Sequence, residues 1–252
     1  MAQQESIIKL SGKVGDLSFF KTKNGYQART RGGVSAERIA NDPGYQRTRE
    51  NNAEFAEVAR ASKKIRDILR SMILLTHDPK MAVRLTSRVF KMMKADIVNI
   101  RGERKVLYEN FNVLKDFNFN EAAPLNNTLF VVAVPSIDRA TGLVEVVIPE
   151  IRPDVHLNKP KGATHYKITA GAALVSFDDA VEMGTMEISE SDAFPIKSTT
   201  PGFTLSNTLA ANALAPILLV FGVSFYQEVN SVYYSLNNGA FNSLSVTAIS
   251  MA

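Results

Sequence analysis

Three histidines, His77, His156 and His165, are all the imidazole this chain offers for acid–base or metal chemistry. None stands in a His-Glu-Xaa-Xaa-His pattern or another close ligand pair, so zinc hydrolysis of that type has no signature. His77 falls in a His-Asp-Pro turn after a helical pattern, where a cation faces a helix C-terminus favourably. His156 lies in a loop between Pro153 and Lys159, and His165 heads a strand-like run. There is no cysteine, which removes disulfides, thiolate nucleophiles, Fe–S clusters and Cys-ligated zinc together. No Gly-Xaa-Ser-Xaa-Gly elbow and no Gly-Xaa-Xaa-Xaa-Xaa-Gly-Lys-Ser/Thr loop occurs. Gly12 and Gly15 lack the third, helix-opening glycine of a dinucleotide fingerprint.

The charged residues allow binding chemistry rather than catalysis. Asp178, Asp179, Glu182, Glu187, Glu190 and Asp192 crowd one stretch that has neither the glycine nor the spacing of an EF-hand, so it reads as a solvated acidic surface. No two carboxylates are singled out as a glycosidase pair. Lys21, Lys23, Arg29, Arg31, Arg38, Arg47 and Arg49 are dense, with Tyr26 and Tyr45 interleaved. Such a surface suits phosphates, with strong salt dependence. Glu37, Asp42, Glu50, Glu54 and Glu57 are mixed in, however, and Arg47 with Glu50 and Glu57 with Arg60 fit i, i+3 pairs. A solvated or subunit-facing helix is therefore favoured over a nucleic-acid groove. The candidate subunit or DNA contacts are Lys21, Lys23, Arg29, Arg31, Arg47, Arg49, Lys63 and Lys64. Their candidate complement is Asp178, Asp179, Glu182, Glu187 and Glu190. The expectation is a non-enzyme without metal or cofactor.

These groups sit on a chain of 252 residues, 45% hydrophobic and 21% charged, which is ordinary globular composition. The net charge of +4 conceals a split. Residues 1–120 carry 23 Lys+Arg against 13 Asp+Glu, and residues 121–252 carry 6 against 12. One half is thus +10 and the other −6, which suits head-to-tail contacts between copies as well as nucleic acid.

Three regions differ in hydrophobic period. Residues 1–34 form a β-hairpin arm: Leu17 and Phe19 alternate with polar neighbours, and Asn24-Gly25 predicts a type I′ turn before Tyr26, Ala28 and Thr30. A lone hairpin is marginally stable and must pack on something. Residues 35–105 form a helical module. Ser35 caps a short turn that Asp42-Pro43-Gly44 breaks. Phe55, Val58, Ala61, Ile65, Leu69 and Met72 then make one stripe of a long helix, ended by His77-Asp78-Pro79-Lys80. A second helix from about Met81 to Ile97 aligns Leu85, Val89, Met93 and Ile97, giving an antiparallel helical hairpin. Residues 106–252 read as an antiparallel β domain, with strands at 130–134, 144–148, 165–176, 185–189, 217–226, 232–236 and 243–249. Asn237-Asn238-Gly239 predicts a hairpin between the last two, and 192–207 reads as irregular. The expected class is α+β: N-terminal hairpin, long helical hairpin, then a C-terminal antiparallel sandwich or barrel.

No signal peptide is expected at the N-terminus. The apolar run at 213–226 is too short for a spanning helix and carries Pro216 and Gly222. It reads as a buried strand, in a soluble protein made in the cytoplasm.

Two terminal segments carry a resemblance. Ser-Gly-Lys-Val-Gly-Asp-Leu-Ser-Phe-Phe-Lys-Thr-Lys-Asn-Gly-Tyr-Gln-Ala-Arg-Thr-Arg-Gly-Gly-Val-Ser (11–35) precedes Asn-Asp-Pro-Gly-Tyr-Gln-Arg-Thr-Arg-Glu-Asn-Asn-Ala-Glu-Phe (41–55). Together they resemble the opening of virion proteins of crAss-like phages, which infect Bacteroidetes, and of related proteins in Bacteroidetes genomes. The stretch Asn-Ser-Val-Tyr-Tyr-Ser-Leu-Asn-Asn-Gly-Ala-Phe-Asn-Ser-Leu-Ser-Val (230–246) is similar to the close of the same family. The resemblance implies a structural protein of a tailed virion, forming a ring in the neck between portal and tail, assembled in the host cytoplasm. It implies a cyclic homo-oligomer matching the twelve-fold portal, with portal, neighbouring ring or tail proteins as partners and DNA passing through the channel. No membrane partner and no catalytic residue is implied. A capsid or tail-hub position stays open, as do a nucleic-acid-binding protein using the basic half and a carbohydrate-active sandwich.

Overall fold

Polar and apolar side chains alternate from Leu17 to Phe19, and Gly25 takes a φ of +105° that side-chain-bearing residues seldom adopt. The two features make the expected hairpin with a different turn. Thr22 pairs directly with Gly25, and Asn24 keeps a negative φ, so the turn is not type I′. The structure, a computed structural model, describes residues 2–5, 7–30, 32–177 and 184–251. Arg31, Asp178, Asp179 and Glu182 therefore lie outside the described residues.

The chain divides into two compact units, Met1–Asn51 and Asn52–Ala252. In the first, β1 (Ala2–Gln3), β2 (Gly12–Val14), β3 (Leu17–Thr22) and β4 (Gly25–Thr30) form an antiparallel sheet in the order β1-β4-β3-β2. The hairpin is thus the centre of a four-stranded sheet. Helix α1 (Ala36–Asn41) starts where the Ser35 Oγ accepts from the Arg38 amide, and it stops at Asp42, whose carboxylate accepts from the Gly44 amide. Helix α2 (Gln46–Ile68) follows one 3-10 turn at Pro43–Tyr45.

In the second unit, α2 buries Val58, Ala61, Ile65 and Ile68. The stripe begins on Glu54 rather than on Phe55, which is 59% exposed. After a break at Leu69, α3 (Arg70–Ile73) buries Met72, and α4 (Met81–Lys94) buries Leu85, Val89, Met92 and Met93. α4 stops short of Ile97, correcting the longer helix expected, because the Asp96 carboxylate takes the Val98 and Asn99 amides that a helix would have used otherwise.

The remaining elements are α5 (Leu125–Thr128), β5 (Val134–Asp138), β6 (Leu143–Ile148), α6 (Pro153–His156), β7 (His165–Leu174), β8 (Met186–Glu190), β9 (Phe194–Pro195), β10 (Phe203–Thr208), β11 (Ile217–Val229), β12 (Val232–Ser235) and β13 (Ser243–Ser250). β10-β6-β5 form a small antiparallel sheet. β12-β11-β7-β8 form a larger curled one, with β13 on β11 and β9 on β7. The fold is mixed α+β, with a half-barrel of antiparallel strands at its C-terminal end.

Three differences in the strands have physical reasons. Phe203–Thr208 was expected to be irregular, yet it pairs with β6 over six residues. Its alternation is carried by Phe203, Leu205 and a buried Asn207 against Thr204, Ser206 and Thr208, so little of it looks hydrophobic. The hairpin near the C-terminus turns at Asn230 and Ser231, with φ of +51° and +63°, and joins β11 to β12. Asn237 and Asn238 instead take left-handed φ of +45° and +52° in a tight turn between β12 and β13, after which β13 returns to the other edge of β11. Finally, the strand expected at 130–134 starts only at Val134 and runs to Asp138.

β11 explains the longest apolar run. Ile217, Leu219, Phe221, Val223 and Phe225 face the small sheet with Val144, Val146, Ile148 and Leu205, while Leu218 and Val220 face the helices with Ile65, Met72 and Val89. A strand covered on both faces needs apolar residues at every position. Helices, large sheet and small sheet are three layers with two cores. Because helices and strands share the first core, the second unit takes in both.

Candidate functional site

Within the N-terminal sheet, Lys21 and Arg29 stand on opposite faces. On β3, Lys21 stands over the Tyr26 ring at 5.6 Å, and Arg29 on β4 stands over Phe20 at 5.4 Å. Lys23 is exposed at the hairpin turn. Arg47 pairs with Glu50 at 3.0 Å, one helical step of three away. Arg49 donates to the carbonyls of Ile39 and Asp42 at 2.8 and 2.9 Å, closing the α1–α2 corner. Lys64 donates to the Phe177 carbonyl at 2.9 Å, and Lys63 is exposed on α2.

Of the acidic complement, Glu187 and Glu190 are described. Three positions apart on β8, they point to opposite faces of the strand and share no surface. Glu190 pairs with Lys167 at 3.0 Å; burial by itself would lower the lysine pKa, but Glu190 together with Tyr226 and Asp192 outweighs it and raises the value. The histidines have local partners. The His77 amide bonds the Gly239 carbonyl, His156 Nδ1 accepts from the Arg152 amide at 3.1 Å, and His165 lies edge-on to Tyr233 with Glu228 at 3.6 Å. Among the described residues no three His, Asp or Glu side chains gather as a metal site. Nor is any helix there long and apolar enough to cross a membrane.

What stands out is exposed apolar surface in three places. The first is the four-stranded sheet. In antiparallel register, Val14, Leu17, Phe19, Tyr26 and Ala28 share one face, yet no described residue of Met1–Asn51 is buried. The second is the loop after α4, where Ile97, Val98 and Ile100 are 95%, 79% and 71% exposed. The third is a groove of about 320 Å³ with walls of Leu125, Leu129, Phe130 and Val132 and a floor of Val146 and Phe221. Comparison with family models, curated proteins and solved structures finds no match to this chain.

The loop is held rather than loose. Asp96 is nearly buried and accepts from the amides of Val98 (2.9 Å), Asn99 (3.1 Å) and Lys105 (2.9 Å), and from the Asn99 side chain (2.8 Å). The Gly102 amide donates to the buried Glu54 at 2.9 Å, and Arg104 lies 3.8 Å from the same carboxylate. The Lys105 amide, then the Asn99 amide group, outweigh burial and hold the Asp96 carboxyl well below the usual carboxylate range. Its contribution is therefore complete above the ordinary aspartate value of about 3.9 and is lost as pH falls from there through the folded value. Asp96→Asn keeps one carbonyl acceptor and turns the other into a donor. Faster hydrogen exchange at the Lys105 amide is expected, with Val98 and Asn99 affected less. Unchanged protection of Lys105 would refute this role for Asp96.

Sequence reasoning missed the loop because Ile97 continues the apolar spacing of α4. The available signal was Asp96, which favours a turn over a continued helix. The groove was missed because the run 130–134 reads as an ordinary strand.

Proposed function

We propose that this chain is a structural subunit of a tailed-phage virion, assembling head-to-tail into a ring in the neck between portal and tail. The observation that carries the reading is the first unit: a four-stranded sheet with one largely apolar face, where Val14, Leu17, Phe19, Tyr26 and Ala28 stand with Lys21 and Thr30, and no buried residue among those described. Burial of apolar area is the main favourable contribution to folding, and a small sheet lacking it needs a covering surface. An arm of this kind suits assembly, where a different surface of the neighbour supplies the cover. Support also comes from the terminal segments that resemble crAss-like virion proteins, and from the opposed charges of the two halves, which favour register and partner choice. The engagement of Arg47, Arg49 and Lys64 within the chain leaves the nucleic-acid reading weaker support.

The test is the mass and shape of the purified full chain over a range of concentrations, by sedimentation and negative-stain microscopy. Closed rings are expected. Val14→Asp combined with Leu17→Asp should abolish them while leaving the main unfolding transition in place, since neither residue is buried. A chain that stays monomeric throughout, or rings indifferent to the double substitution, would contradict the reading. Salt-sensitive DNA binding without rings would transfer support to the alternative.

A further inference from the structure

The exposed loop and the groove lie in opposite layers of the second unit. The loop hangs from α4, whose Leu85, Val89 and Met93 belong to the core between the helices and the large sheet. The groove floor, Val146 and Phe221, belongs to the core on the other face of that sheet. One chain cannot seat its own loop in its own groove, because the sheet stands between them. Two copies can.

We propose that Ile97, Val98 and Ile100 of one copy seat in the groove walled by Leu125, Leu129, Phe130 and Val132 of the next. This rests on the self-assembly reading above and specifies its contact. Charge favours a second copy as the occupant. The loop and its flanks carry Lys91, Lys94, Arg101, Arg104 and Lys105 against Glu103 and the enclosed Asp96; Arg104 and Lys105 lie 3.8 and 3.9 Å from Glu54 and Glu57 of α2, which leaves a smaller positive excess. The layer holding the groove carries Asp138, Glu145, Glu150 and Asp154 between residues 134 and 154, against Arg139 and Arg152. Of those two, Arg139 is turned to the carbonyls of Ala213, Ala215 and Ser250. Like-charged copies of either surface repel each other, whereas loop against groove attracts, so the contact is heterologous and propagates. The Asp96 hydrogen bonds fix the loop before it docks, which reduces the ordering that binding would otherwise require. Phe130–Ala133 offers a matching state. The segment is anchored by the Phe130 amide on the His156 carbonyl and by the Leu129–Leu157 bridge, but it belongs to no strand, despite its strand-forming sequence. Three side chains do not make a whole interface of the usual size. They form its anchor, with the arm and surrounding surface as the remainder.

The chain has no cysteine, which makes the test direct. Val98→Cys and Val132→Cys variants of the full chain, both at exposed positions, are mixed and treated with a short bismaleimide. A cross-linked dimer is expected in the mixture and is expected to be lost when either variant is treated alone. In parallel, Val98→Asp should raise the concentration needed for assembly by about thirtyfold or more, the effect that marks an interface hot spot. Rings that form normally in Val98→Asp, with no cross-link in the mixture, overturn the loop-and-groove contact and leave the self-assembly reading standing. Cross-linking of Val98→Cys with itself overturns it in favour of a two-fold contact. Flotation on phosphatidylserine vesicles that Val98→Asp abolishes, without cross-linking, overturns it in favour of a lipid surface. An unsubstituted chain that is monomeric at every concentration removes both readings.

Discussion

Phe221→Ala is expected to lower the free energy of unfolding by about 3–5 kcal/mol, the usual range for emptying a buried aromatic site. Phe221 is 1% exposed at the centre of β11, which pairs with β7 on one side and β13 on the other. Its ring packs in the core between the two sheets and forms part of the groove floor. Relaxation of the strand is restricted. β11 is paired along both edges, with β7 and β13, which limits how far it can move to close the space. Opening toward the groove admits water, which favours the lower end of the range. Urea unfolding of the two chains measures the loss. A change under about 1 kcal/mol would mean that the core between the sheets does not bear on stability as described. Phe55→Ala is the control: at 59% exposure it should fall within about 0.5 kcal/mol of the unsubstituted chain.

The second large effect is expected at Asp78, with a pH signature. Asp78 accepts from the amides of Lys80 at 2.7 Å and Glu121 at 3.2 Å and pairs with the Arg84 guanidinium. Arg84 also donates to the Asn118 carbonyl at 2.9 Å and stands 5.2 Å over the Phe117 ring. The cluster joins the start of α4 to the segment leading into α5. Burial by itself would raise the Asp78 pKa, but the Arg84 hydrogen bond and the two amides together outweigh it and lower the value. A carboxyl lowered on folding adds stability above its unfolded value of about 3.9 and loses it as pH falls through the folded value. Asp78→Ala should therefore cost about 1–3 kcal/mol at neutral pH, and the difference between variant and parent should shrink once the pH drops below about 4. Thermal unfolding of both chains along a pH series measures this. A difference that stays constant into acid would show that the effect comes from lost packing and not from the ionised group.

The helices were legible wherever residues repeat at three and four. Val58, Ala61, Ile65, Leu85 and Val89 fall in the core that their spacing implies. At Phe55 and Ile97 the same rule failed, since periodicity gives a face but not the point where a helix enters or leaves the core. Glu54 and Asp96 decide those points through backbone amides distant in sequence or just beyond the helix. Glu187 and Glu190 look like neighbours in a charge count, and strand alternation separates them.

By itself, the sequence determined a cysteine-free α+β chain with an alternating N-terminal hairpin, two amphipathic helical stretches and a long buried strand, because local pattern and composition act over a few residues. The tertiary structure alone decided that no described residue of the first unit is fully buried, that Ile97, Val98 and Ile100 project from a held loop, and that Phe130–Ala133 walls a groove instead of completing a sheet. Those are questions of which surface covers which, and coverage depends on residues far apart in the chain.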